Sequence, residues 1–243
     1  MSLSRTGATA RRVLAQLRHD PRTLALLMVV PVVLMGLIAW IFPSHDFDQY
    51  GPPLLGIFPM LIMFLVTSVA TLRERTSGTL ERLLTMPLAK ADFVFGYAMA
   101  FGGLAVLQAV IVSGVSFGIY GLQVQGSQAL VGLIAVTDAL LGTALGLFVS
   151  AFATTEFQAV QFMPVILIPQ LLLCGLLLPT DQLPTVLRWL SFAMPMRYAV
   201  KATMVVMESA SVTSRFWADL VAVAGFAVGF LALGAGTLRR RTP

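Results

Sequence analysis

Long apolar runs alternate with short polar breaks along the chain, at 24–42, 54–72, 93–120, 129–152, 160–178 and 220–238. A run of about 20 apolar residues, rising about 1.5 Å each, crosses a hydrocarbon core of about 30 Å. The pattern therefore predicts six spans in one transmembrane domain over 23–243. The fold class is all-α integral membrane, because helices satisfy their own backbone groups in lipid. Pro31 interrupts the first run and Pro164 and Pro169 the fifth. The loop before the second run carries His45, Asp46 and Asp48 but no Lys or Arg.

Residues 1–22 follow a different rhythm. Ala10, Val13, Leu14 and Leu17 fall on one helical face, and Arg11, Arg18 and Arg22 on the other. This is the pattern of an amphipathic helix at an anionic membrane surface, with a solvated helix as the alternative. Its arginines are spread out and no small-residue cleavage site comes after the apolar run, unlike a cleaved leader.

Two polar stretches stand out. In 73–93, Leu80, Leu83 and Leu84 share a face, Gly78 and Thr79 open a helix, Glu81 lies in its first turn and Pro87 ends it. A helix of about two turns is marginal alone, so this face needs another surface, which need not belong to this chain. In 179–216, Pro-bounded amphipathic pieces are each too short to span. Residues 185–194 read as a half-helix dipping into the outer leaflet or as a cap lying on it, with Leu187, Leu190 and Met194 on one face and Trp189 interfacial.

Composition agrees with the pattern: 58% hydrophobic, 11% charged, mean hydropathy +0.88. The net charge of +5 is distributed by side. Five basic residues precede the first span, four lie in the 73–92 loop and three come after the last span, against Arg188, Arg197, Lys201 and Arg215 elsewhere. Positive residues collect in the cytoplasm, which places both termini and the 73–92 loop inside.

The chain's own chemistry is sparse. Neither Lys90 nor Lys201 follows a glycine, so the phosphate-cradling Gly-x-x-x-x-Gly-Lys-Ser/Thr loop is missing. Gly114, Ser116 and Gly118 match Gly-x-Ser-x-Gly, but within a span rather than at the required strand-to-helix turn. Two histidines and one cysteine offer no metal set, and Cys174 reads as a small core residue. Gly142 with Gly146, and Gly225 with Gly229, suit close helix packing. Asp138, Gln108, Gln161 and Gln170 lie within spans, where polar groups serve either transport or helix packing.

Glu74, Gly78-Thr79-Leu80-Glu81, Leu83-Leu84 and Pro87-Leu88 together resemble the E-x-x-x-G-T-L-E-x-L-L-x-x-P-L loop of the ABC type-2 exporter permeases, which include the daunorubicin-resistance type. Gln161, Pro164, Pro169 and Gly175 through Pro179 are similar to that family's fifth span. Leu183-Pro184, Trp189-Leu190 and Pro195 through Val200 are similar to the stretch between its fifth and sixth spans. The resemblance covers nearly the whole chain. One departure is Gly96-Tyr97, where many members have Gly-Lys.

The resemblance implies a coupling helix at 74–87 docked on an ATPase, and a re-entrant extracellular gate containing Pro179, Leu183, Pro184, Trp189, Pro195, Arg197 and Tyr198. It implies a non-catalytic permease in the bacterial cytoplasmic membrane, exporting a drug or lipid. The implied partners are two ATPase subunits that bind ATP and Mg, a second identical or similar permease, membrane lipids and a hydrophobic substrate, with no cofactor in this chain and no nucleic acid. The competing reading is an ATP-independent carrier using Asp138, or a non-transporting assembly protein.

Overall fold

The computed structural model describes residues 3–76, 90–209 and 214–237. Its helices are α1 (Leu3–Arg18), α2 (Pro21–Ile41), α3 (Ser44–Thr76), α4 (Lys90–Gly118), α5 (Gln128–Ser150), α6 (Glu156–Leu173), α7 (Thr185–Ser191), α8 (Pro195–Glu208) and α9 (Ser214–Thr237). Six of them, α2 to α6 and α9, are long and apolar enough to cross a membrane. The fold is the all-α membrane architecture expected from the apolar runs.

Several boundaries differ from that expectation, each for a local reason. The N-terminal helix stops at Arg18 rather than 22, because Asp20 caps the next helix: Thr23 donates its backbone N–H to Oδ1 at 3.2 Å and its hydroxyl to Oδ2 at 2.6 Å. The first span therefore starts at Pro21 and continues through Pro31 to Ile41. The second departs most. Expected at 54–72 after a loop, it is one helix of 33 residues running through Pro52, Pro53 and Pro59. Phe47, Gly51, Pro52 and Pro53 are buried, and Asp48 accepts the backbone N–H of Gln123 at 2.8 Å. Tertiary packing thus overrides the Pro and Asp signals that would end this helix in water.

The expected run 160–178 is shifted to Glu156–Leu173. Thr155 caps its start by accepting from the backbone N–H of Gln158 at 3.2 Å. Gly175, at φ 99°, lies just past its end in a conformation closed to most side chains. The runs 93–120, 129–152 and 220–238 shift by smaller amounts to Lys90–Gly118, Gln128–Ser150 and Ser214–Thr237.

The pairing of α3 with α5 organises the bundle. Gly56 faces Asp138, Gly142 faces the Met60 carbonyl and Gly146 the Phe64 carbonyl, each pair one turn further along both helices in the same direction. The two helices are therefore parallel and in register. A Cβ added at Gly146 would lie 2.6 Å from the Phe64 oxygen, and one at Gly142 would lie inside the Met60 carbonyl's contact radius. Missing side chains are what let the two backbones approach. Phe64, Met60, Leu141 and Leu145 close the surrounding core. Gly225 and Gly229, expected to pack similarly, have no neighbour within 4 Å of a would-be Cβ. On α9 they lie on a surface that the described residues leave uncovered.

Gly142→Val is expected to cost about 1–3 kcal/mol by forcing α3 and α5 apart. Gly229→Val should be close to neutral. Thermal melts, with size-exclusion chromatography in detergent as a second measurement, would distinguish the two; equal melting temperatures would refute this register.

Candidate functional site

At one end of the bundle, α3 finishes with Arg73, Glu74, Arg75 and Thr76, and α4 starts at Lys90. The expected coupling residues Gly78, Thr79, Leu80, Glu81, Leu83, Leu84 and Pro87 lie outside the described residues. Both roots of that segment are described, and α1 is fastened to each.

The apolar face expected on α1 is covered by protein rather than left for lipid. Ala10, Val13 and Leu17 are buried with Phe93, Val94, Tyr97, Phe101, Met63 and Val66, while Leu14 stays 41% exposed. Thr6 and Thr9 lie so close to Gly96 that a Cβ there would fall 2.6 Å from Thr9 Cβ. Thr6 also donates its hydroxyl to the buried Asp92 carboxylate at 3.4 Å.

One turn along α1, Arg12 donates Nη1 to Glu74 Oε1 at 2.5 Å and Nη2 to the Tyr97 hydroxyl at 3.2 Å. The side chains of Arg12 and Glu74 retain only 29% and 12% of their exposure. A single guanidinium thus ties α1 to the last turn of α3 and the second turn of α4. Tyr97 does not leave this corner without a cation, since α1 supplies Arg12. Two further contacts fix the end of α3. Arg73 makes a two-pronged pair with Glu156 of α6 at 2.7 and 2.9 Å, and Arg75 donates to the Ser150 carbonyl at the end of α5. Asp20 sits close enough to feel Arg73. Its carboxyl is held below the usual range mainly by the Thr23 hydrogen bonds, with a smaller contribution from that guanidinium.

The opposite end carries α7 and α8. Of the expected gate residues, Pro195 and Arg197 are buried, Leu183 and Tyr198 half-buried, and Pro179, Pro184 and Trp189 exposed. Leu187 and Leu190 on α7 are 39% and 47% exposed, so this leucine face is not covered within the chain. What holds α7 is Arg197, only 4% exposed. It donates to Ser191 Oγ at 2.5 Å and to the Arg188 carbonyl at 3.4 Å, with its guanidinium 3.8 Å from the Phe192 ring centre. Burial pushes its proton affinity down from the ordinary arginine value. Tyr198 donates its hydroxyl to the Phe192 carbonyl at 2.8 Å. Two side chains of α8 therefore hold the turn that joins it to α7.

The polar residues expected inside the spans are separated by the structure. Gln108 is buried and donates to the Leu27 carbonyl at 2.6 Å, joining α4 to α2. Gln170 donates to the Ile166 carbonyl and accepts the Met196 backbone N–H at 3.4 Å, joining α6 to α8. Both act in packing here. Gln161 is exposed. Asp138 is 2% exposed, faces Gly56, and its Oδ1 has no hydrogen-bond partner among the described residues. Ser116, in the Gly-x-Ser-x-Gly match, is buried within α4 with no partner for its hydroxyl among the described residues, which is unlike an exposed nucleophile. Cys174 is buried.

Sequence reasoning missed Arg12, Tyr97 and the Arg73–Glu156 pair as a site. The tyrosine in place of lysine was the available signal, but nothing along the chain indicated that α1 would bring an arginine to it.

The fold, with six apolar helices of bilayer length among the described residues, defines an all-helical polytopic membrane protein. It belongs to the ABC-2 type transporter family, whose model matches residues 5–207. It is 30% identical over 165 residues to the probable multidrug ABC transporter permease YbhR of Escherichia coli, covering 68% of this chain and 45% of that one. It is 27% identical over 161 residues to ABC transporter G family member 20 of Dictyostelium discoideum, covering 66% and 22%. It is 23% identical over 145 residues to the inner membrane transport permease YhhJ of Escherichia coli, covering 58% and 38%. The chain thus spans less than half the length of each of these relatives.

Arg12→Ala leaves a largely buried Glu74 carboxylate without this partner and is expected to cost about 1–3 kcal/mol. Tyr97→Phe should cost about 0.5–1.5 kcal/mol. A double-mutant cycle with Glu74→Gln, read from thermal melts, should show coupling; strict additivity would remove the knot. At the other end, Arg197→Met is expected to lower the melting point. Arg197→Lys should not fully restore it, because an ammonium lacks the planar guanidinium face that lies on the Phe192 ring.

Proposed function

We propose that this chain is the permease subunit of an ATP-driven exporter, pairing with a second identical or similar permease and with two separate ATPase subunits. It would move a hydrophobic or amphipathic compound outward across the bacterial cytoplasmic membrane, with both termini and the 73–92 segment inside. The observation that carries this reading is the knot of Arg12, Glu74 and Tyr97. A force applied to the segment between Thr76 and Lys90 reaches α3, α4 and α1 together, because one guanidinium links all three.

From there the displacement passes along α3, whose 33 residues at about 1.5 Å each reach well beyond a hydrocarbon core. The close pairing of α3 with α5 makes the two move as a unit. Against them α7, hinged on the buried α8, can shift, opening a route past Pro179, Leu183, Pro184 and Trp189. The name of the Escherichia coli relative YbhR supports a multidrug cargo. The few charges within the spans support apolar compounds over sugars or inorganic ions.

One observation favours a second reading. Asp138 is a buried carboxyl whose Oδ1 lacks a hydrogen-bond partner among the described residues, a feature suited to a proton-coupled carrier without an ATPase. Asp138→Asn would abolish transport under that reading and leave it largely intact under the first.

The coupling role is tested with Glu81→Arg combined with Leu84→Asp. Loss of co-purification with an ATPase encoded beside this chain, with folding retained, is the expected result. Intact association with normal transport would remove the role assigned to that segment. Thr79→Cys should react with an impermeant thiol reagent only after the cells are opened.

A further inference from the structure

Between α1, α2, α3, α4 and α6 lies a groove of about 670 Å³ at the end of the bundle that carries the Arg12 knot. That volume lies within the range of about 300–1,000 Å³ that suits a drug-sized molecule. Its floor is Val66 and Phe101, and its mouth is formed by Leu26, Val69, Phe157 and Val160. Leu26, Phe157 and Val160 are 42%, 72% and 43% exposed. They sit near the starts of the membrane-crossing helices α2 and α6, so the groove presents an apolar mouth between those two helices.

The polar rim is unequal in charge. Asp20, Glu74 and Glu156 line it together with one cation, Arg73. Glu74 takes Arg12 and Glu156 takes both prongs of Arg73. Asp20 is engaged by the neutral Thr23 and the backbone of Arg22, and feels the field of Arg73. Counting these five groups, one negative charge is left over beside an apolar slot. Tyr97 and Phe157 add aromatic surface, which attracts a cation lying over a ring face.

We propose that this groove binds a lipophilic organic cation drawn from the adjoining leaflet, with its apolar body between Val66, Val69 and Phe157 and its charge toward Asp20 and Glu156. As an entry site for exported cargo, the groove rests to that extent on the exporter reading above. An anionic amphiphile would meet excess carboxylate. A bare acyl chain would leave the charged rim without a counterpart.

The test uses the full chain in phosphatidylcholine nanodiscs and two probes of the same shape and opposite charge, tetraphenylphosphonium and tetraphenylborate. Uptake by protein-free discs is subtracted. Saturable binding of the phosphonium, about tenfold tighter than any saturable binding of the borate, is expected. Asp20→Asn keeps the helix cap, since Asn caps as well as Asp, and should weaken phosphonium binding severalfold. Phe157→Ala, at an exposed position, should weaken it as well, and Val69→Trp should block it. Equal affinity for the two probes, unchanged binding in all three variants, or no saturable binding would overturn the proposal. Because the assay needs no nucleotide or partner, lack of ATPase association would defeat the exporter reading and leave this result standing. Association without phosphonium binding would defeat only the groove.

Discussion

Two parallel helices can approach to backbone contact only where side chains are missing, and the bundle depends on one such place. Gly142 and Gly146 of α5 lie against the Met60 and Phe64 carbonyls of α3, with Gly56 of α3 against Asp138 one turn away. In a membrane there is little hydrophobic gain in bringing two apolar helices together, so close fit and polar contacts decide which helices pair. The register set by these glycines fixes α3, and α3 in turn carries the features at both ends of the molecule. At one end it presents Arg73, Glu74 and Arg75, and at the other Phe47 and Gly51 pack beneath the connection between α4 and α5.

With α3 fixed, the rest of the α1 end is set by charge and contact. The three basic and acidic residues at the end of α3 reach three different helices: Arg73 reaches α6, Glu74 reaches α1 and Arg75 reaches α5. Each would be a weak surface interaction alone. Together, with Arg12 and Glu74 largely removed from solvent, they make one turn of helix the junction through which α1, α4, α5 and α6 sense one another. Such a junction suits a subunit whose motion is driven from outside, because displacement of one polar turn reaches most of the bundle.

The hairpin end is built on another principle. Here α7 is exposed along its leucine and tryptophan face and is held mainly through the turn at Ser191 and Phe192, where Arg197 and Tyr198 of α8 bond. The helix beneath, α8, is well buried through Met196, Ala199, Val200 and Ala202. A loosely covered element hinged on a firmly packed one allows local displacement at small cost to the core. The α3–α5 pair and α8 are therefore the fixed parts, and α7 the part with the fewest constraints.

Apolar runs of bilayer length sufficed to determine the number of crossing helices, their order and the all-α class, because lipid leaves a spanning backbone few alternatives. The two short Pro-bounded helices α7 and α8 were also readable, since their signals lie close together along the chain. Helix ends were less so: Pro52 and Pro53 signal a break in water, and only their burial lets α3 continue through them. Which glycines pack was undecidable from spacing, as Gly142 with Gly146 and Gly225 with Gly229 have the same interval and opposite surroundings. The pairing of Arg12 with Glu74 and Tyr97, and of Arg73 with Glu156, was decided by the tertiary structure alone. Those partners lie more than sixty residues apart, and no local pattern records which helix ends the packed bundle will bring together.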